Sequence, residues 1–249
     1  DQARILKNFD EVRPELVFHS AALKHLPFLG KYPHEAYMAN VLGPRNVILT
    51  AEESGTRAFF NISKDKAADP TSALGFSKLI TERLTAGVSE PGDEAYVSVR
   101  FGNVLGSPGS VLRNFRHQIA NRGPLTVTNE NVTRYFMIIK EAVNLELQAS
   151  VLGKSQETLI LDVGTPVNIA DTARYMDKHS GRDIENRFTG IRPGEKMPEM
   201  FASDQEAIVG GSHRLISRAR ISPIRIENLN GFPHISDLYD RLAKSAVKP

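Results

Sequence analysis

Three short apolar runs, spaced by helical stretches, do most to limit what this chain can become. Leu16-Val17-Phe18-His19, Ala58-Phe59-Phe60-Asn61-Ile62 and Tyr96-Val97-Ser98-Val99-Arg100 each have the length and the aromatic or β-branched content of a buried strand. Between them, residues from Pro33 to about Gly55 read as one long helix and residues 73–87 as another. Pro33 falls in the first turn, where its missing N–H costs nothing. Residues 2–13 read as a short amphipathic helix ahead of the first strand. Strands separated by helices pair in parallel, with the helices crossing over the sheet faces. The prediction is therefore an α/β protein with a parallel sheet covered on both sides.

After about residue 103 the rhythm loosens. Helices are predicted over 110–121, 140–152 and 168–180, and strands at Leu125-Thr126-Val127 and Leu159-Ile160-Leu161. Met137, Phe136 and the apolar residues at 142, 143, 145 and 147 read as core. No internal repeat or low-complexity stretch interrupts the chain.

Bulk properties exclude several classes. At 249 residues, 41% hydrophobic and 24% charged, the chain can bury the core of one domain, or of a domain with a small lobe. Its net charge of +2 comes from intermixed acids and bases, which argues against a nucleic-acid surface. It has no cysteine, hence no disulfide framework, thiolate nucleophile or cysteine metal site. No carboxylate or cysteine stands at ligand spacing from His25, so no metal is expected. No apolar run approaches the ~20 residues that span a bilayer, and no signal peptide is visible. A cytoplasmic setting is the expectation.

Charge gathers where such a fold does its chemistry. The second apolar run ends in Ser63-Lys64-Asp65-Lys66-Ala67-Ala68-Asp69-Pro70, and a helix opening at Leu74-Gly75-Phe76-Ser77-Lys78 follows. In open α/β sheets the binding crevice lies beyond the carboxyl ends of the strands. On residue types alone, an adjacent Asp-Lys is either a solvated surface pair or an acid and a base of different reach.

The pattern Ser-x-Asp-Lys-Ala-x-x-Pro followed by Gly-x-Ser-Lys resembles the extended short-chain dehydrogenase/reductase superfamily. Within it, the chain is similar to the polysaccharide-biosynthesis type of UDP-N-acetylglucosamine 4,6-dehydratase. Further motifs agree in order and spacing: Phe18-His19-Ser20-Ala21-Ala22-Leu23-Lys24-His25, Asn40-Val41-Leu42-Gly43, Arg100-Phe101-Gly102-Asn103-Val104-Leu105-Gly106-Ser107, Thr133-Arg134-Tyr135-Phe136-Met137 and Arg192-Pro193-Gly194-Glu195-Lys196. The likeness covers nearly the whole chain.

The resemblance implies an NAD-binding Rossmann core, in part, over residues 1–103. It implies a smaller mixed α/β sugar-nucleotide lobe over 104–249, intertwined with that core. The glycine-rich pyrophosphate loop that should open such a unit is not in this sequence. The chain therefore reads as one lacking the first strands of the nucleotide fold. The strand at 16–20 would then have a bare edge and poor solubility. The resemblance further implies a homo-oligomeric parent, and in some relatives of that family upstream membrane helices anchor the protein.

It also implies residue roles. Lys66 is the candidate base at sugar C5 and Asp65 the candidate acid for the C6 hydroxyl. Lys78 matches the lysine that holds the nicotinamide ribose; its usual tyrosine partner, one turn earlier, is Leu74 here. Lys64 stands where the family has a threonine. It would either orient or deprotonate the C4 hydroxyl, or repel Lys66 and Lys78. Ala21, Ala22, Lys24, Asn40 and Ser63 fall at the cofactor crevice. A second reading has Ser63 cap the strand end, and Asn40 steady the crevice. Asn103, Arg134, Arg192 and Glu195 are the candidate ligands of the UDP-sugar, the arginines because a guanidinium fork suits phosphate oxygens. Two other outcomes stay open: a degenerate relative that only binds a UDP-sugar, and a UDP-hexose 4-epimerase.

Overall fold

In the computed structural model, residues 1–88, 95–204, 206–211, 213–229 and 237 are described. Helix α1 (Gln2–Val12) ends at Arg13, whose left-handed backbone (φ 47) turns the chain into β1 (Leu16–His19). A helix not expected from the sequence, α2 (Leu26–Lys31), follows, then α3 (Pro33–Tyr37), a π-helical turn (Met38–Leu42) and α4 (Gly43–Glu53). Together α3, the π turn and α4 make up the long helix predicted from Pro33. Then come β2 (Ala58–Ile62), α5 (Ala73–Val88) and β3 (Ala95–Arg100).

The later half contributes β4 (Asn103–Val104), α6 (Val111–Ala120), β5 (Leu125–Val127), β6 (Thr133–Arg134) and β7 (Phe136–Met137). It continues with α7 (Ile139–Leu152), β8 (Glu157–Leu161), β9 (Val167–Asn168), α8 (Ile169–Ser180), β10 (Asn186–Phe188), β11 (Ile208–Gly210) and β12 (Ile216–Arg220).

The main sheet has the order β1-β2-β3-β8-β12-β11. Its first four strands are parallel; β12 and β11 add on antiparallel. The α/β fold with a mostly parallel sheet is thus as the sequence predicts. β12 escaped notice because Arg218 and Arg220 break the apolar signal of a short strand, and β11 because it is only three residues long.

Alternation of side chains sends Phe59 and Tyr96 to one face, where they meet Ile48 of α4 and Ile80 and Leu84 of α5. Phe60 and Val97 point to the other face, where Gly153 at the end of α7 comes against Val97. At β1 that second face is open: Leu16 and Phe18 are exposed, Phe18 stacking on Phe60. A separate core of Phe115, Leu125, Val127, Ile169 and Ala173 joins α6, β5 and α8.

One core assignment is corrected. Ala142, Leu145 and Met137 are buried, but Val143 and Leu147 are 46% and 52% exposed. Only the stripe of α7 carrying 142, 145 and 149 faces the sheet; residues 143 and 147 lie one row further round. Among the described residues no helix is long and apolar enough to cross a membrane.

Candidate functional site

The polar cluster after β2 is held as a tight turn. Ser63 N–H donates to Val99 O at 2.8 Å, extending the sheet by one residue, and Asp65–Ala67 then close a 3-10 turn. Helix α5 presses on this turn so closely that a Cβ at Gly75 would stand 2.5 Å from the Lys66 carbonyl oxygen. Glycine is needed there by close approach.

Asp65 is the most isolated carboxyl of the turn. Its side chain is fully buried and neither oxygen has a hydrogen-bond partner; its nearest cation is the Lys64 ammonium, 4.0 Å away. Burial pushes the Asp65 carboxyl above its ordinary range, more than Lys64 pulls it down. Lys64 Nζ donates to Asn103 Oδ1 at 2.7 Å, and burial lowers its own pKa. Lys66 does not pair with Asp65. Its Nζ donates to Glu199 Oε1, which also lies 3.4 Å from Arg134 Nε. Burial would raise the Glu199 carboxyl, but Lys66 and Arg134 outweigh it and hold the group below its usual range.

Behind the turn, Lys78 Nζ donates to Ile62 O at 3.0 Å, and burial lowers its pKa to about 8. His19, at the end of β1, is lowered to about 4 by burial and by Lys78, and its Nε2 is buried without a partner. Leu74, one turn before Lys78, lies in the core.

Two of the residues predicted at the crevice face inward. Asn40, in the π turn, accepts from Leu23 N–H at 2.7 Å and donates to Leu23 O at 2.9 Å, fixing the loop that carries Ala21, Ala22 and Lys24. Ser63 donates its hydroxyl to Glu82 Oε1 at 2.5 Å, inside a buried network with Arg100 and Glu206.

In front of the turn is a cleft of about 310 Å³ lined by Lys24, Lys64, Asn103, Arg134, Arg192 and Glu195, among others. Topology brings these six together from five segments of chain. Lys24 Nζ donates to Pro108 O at 2.6 Å, and Asn103 Nδ2 to Tyr135 O at 3.3 Å. The two arginines differ. Arg134 is consumed by the protein: Nη2 donates to Glu195 at 2.8 Å, and Nη1 to the Thr133 and Met197 carbonyls. The Arg192 side chain is exposed and has no partner among the described residues, so it is the guanidinium available to an anion. Glu195 takes Arg134 and the Arg192 backbone N–H rather than the Arg192 guanidinium.

Sequence reasoning missed Glu199, Glu82 and Glu206. Glu199 sits three residues beyond the Arg192–Lys196 motif, and Glu82 lies within a helix whose flanking Thr81 and Leu84 are buried. An acid in an apolar helix face was the available signal for Glu82; nothing local marks Glu199.

A family model described as "Polysaccharide biosynthesis protein" matches residues 1–220. The chain is 44% identical over 210 residues to the capsular polysaccharide biosynthesis protein CapD of Staphylococcus aureus, covering 83% of this chain and 35% of that protein. It is 35% identical over 208 residues to a UDP-glucose 4-epimerase of Rickettsia typhi, covering 81% of this chain and 61% of that one. The chain thus spans about a third of the first relative's length and less than two thirds of the second's. The solved structure of Pen from Bacillus thuringiensis matches with a TM-score of 0.79 at 27% identity, covering 98% of this chain and 79% of that one.

Proposed function

The chain belongs to the polysaccharide biosynthesis family of extended short-chain dehydrogenase/reductases, and on that premise we propose that it carries the acid–base and sugar-nucleotide half of an NAD-dependent 4,6-dehydratase for UDP-N-acetylglucosamine-type substrates. The observation that carries this reading is Asp65, a fully buried carboxyl with both oxygens unpartnered. Burial without a partner favours the protonated form of such a group, which then has a proton to give. An epimerase, which only removes and returns hydride at C4, has no use for it.

The residues fit NAD. Ala21 and Ala22 put no bulk at the end of β1, His19 Nε2 lacks a partner there, and Lys78 reaches the end of β2. Ala21, Ala22, Lys24 and Lys78 would hold it, with Asn40 and Ser63 fixing the loop and the turn. When bound, NAD supplies the hydride acceptor and donor for the sugar carbons.

The side chains divide the remaining work. Arg192 and Lys24 attract the diphosphate at the cleft. Lys64, steadied by Asn103, takes or orients the C4 hydroxyl proton; burial lowers its pKa and so favours the neutral amine. Lys66, once its ammonium has released its own proton to solvent, removes the C5 proton after C4 has become a ketone. Asp65 gives its proton to the C6 hydroxyl, which leaves as water. Leu74 supports this assignment, because a 4-epimerase on this fold relies on a tyrosine at that position.

The test is proton NMR of the chain with UDP-N-acetylglucosamine and NAD⁺. A new C6 methyl doublet is the expected result. A C4 epimer without a methyl doublet would give the chain to the epimerase class, as its likeness to the Rickettsia typhi protein allows. Broadened uridine signals with neither product would leave only a UDP-sugar binder.

A further inference from the structure

Residues 194–199 run between the acid–base turn and the cleft and bond alternately to each. Toward the turn, Gly194 lies against Ser72, where an added Cβ would stand 2.7 Å from the Ser72 Cβ. Lys196 Nζ donates to the Ala68 and Asp69 carbonyls, and Glu199 takes Lys66. Toward the cleft, Glu195 takes Arg134, and Met197 O accepts from Thr133 N–H at 3.2 Å and from Arg134 at 3.0 Å. Glu199 is the residue that touches both: its Oε1 holds Lys66 and lies 3.4 Å from Arg134 Nε. Its side chain is 1% exposed and its Oε2 has no partner.

We propose that Glu199 is a positioning residue for the proposed dehydration: it ties the Lys66 amine to the cleft wall and so keeps Lys66 away from Asp65. The inference rests on the dehydratase reading for its kinetic consequence but not for its geometry. An Asp65–Lys66 ion pair would draw the Asp65 proton away, because an ammonium in contact stabilises a carboxylate. With Glu199 taking the lysine, Asp65 stays without a bonded cation, Lys64 being no closer than 4.0 Å. The same contact fixes where the Lys66 nitrogen stands. Lys64, Lys66 and Arg134 are the cations facing this pair of carboxyls, from the turn and from β6.

The experiment compares wild type with Glu199→Gln in two measurements. In the first, amine acylation at fixed pH is followed residue by residue by mass spectrometry. Lys66 should label several-fold faster in the variant while Lys196, held by Asp69, does not change. An unchanged Lys66 rate overturns the proposal, whatever the enzyme does. In the second, turnover of UDP-N-acetylglucosamine should fall at least ~10-fold, part of the ~100-fold or more that acid–base groups supply, while KM stays within about 3-fold. A loss confined to KM, or one matched by a general loss of folded protein, means that Glu199 is only structural. If Glu199→Gln does not fold, Glu199→Asp keeps the charge and shortens the reach, and its Lys66 rate decides in the same way. A wild-type chain that makes no methyl doublet sinks the dehydratase reading alone, since the labelling result stands without turnover.

Discussion

The Glu82 carboxylate of α5 receives the Arg100 guanidinium of β3 at 2.6 and 2.9 Å, with both side chains fully buried. The same carboxylate accepts the Ser63 hydroxyl at 2.5 Å, and Arg100 reaches on to Glu206 at 2.7 Å. Burial opposes charge on Arg100, but the two acids outweigh it and raise its pKa. The start of the turn after β2 is thereby bonded to the central sheet and to the segment at 206.

Arg100→Met should leave two buried carboxylates uncompensated. The expected cost is about 3–5 kcal/mol, read as a lower midpoint of urea unfolding. Arg100→Met with Glu82→Gln and Glu206→Gln should recover part of it, because no lone buried charge remains. A single-variant cost under about 1 kcal/mol would mean that the network is not closed in solution.

Asn40→Ala should unpin the loop after β1. It leaves the buried-side N–H and C=O of Leu23 unpaired, at about 1–3 kcal/mol for each group. Hydrogen exchange at the Leu23 amide is the direct readout, and protection equal to wild type would show that the side chain is dispensable.

Gly75→Ala should be worse than an ordinary glycine substitution. The new Cβ must move the Lys66 carbonyl, 2.5 Å away, at a cost of ~1–3 kcal/mol. Gly30→Ala is the control, since nothing lies within 4 Å of its added Cβ. Equal melting temperatures for the two variants would contradict the close approach of α5 to the turn.

His19 should make the fold acid-sensitive above the range where carboxylates titrate. Its pKa is about 4 when folded against 6.5 ordinarily, so below 6.5 the unfolded chain binds more protons. Stability is full above pH 6.5 and falls as pH drops toward 4. His19→Phe, which keeps the stacking on Phe59, should flatten that slope between pH 6.5 and 4.5. Parallel slopes would show that other groups govern it. At the alkaline end Lys78 acts in the same sense: with its pKa near 8 when folded against 10.5 ordinarily, stability should rise again between about pH 8 and 10.5.

Much of this was legible from local pattern. β2 reads as a strand because Ala58, Phe59, Phe60 and Ile62 make a short apolar run broken only by Asn61, and the structure buries every residue of it but Ile62. Lys64, Asn103, Arg134, Arg192 and Glu195 were named from motifs, and the structure brings them to one cleft. β12 and α2 were not legible: the first is short and carries two arginines, the second is six residues long with Pro27 and Gly30 inside it. Val143 and Leu147 were misread because apolarity marks a helix without saying which row faces the sheet.

The sequence by itself determined the order of strands and helices, and which titratable residues end up at the strand ends, because hydrophobic period and turn chemistry act over a few residues. Only the tertiary structure decided how those residues are paired. Lys66 finds its carboxylate 133 positions away in Glu199 rather than next door in Asp65, and Arg134 is spent on Glu195 while Arg192 is left open. A charge takes the partner that the packed backbone brings within about 3 Å and out of water, where an ion pair is strongest, and chain neighbours have no priority in that choice.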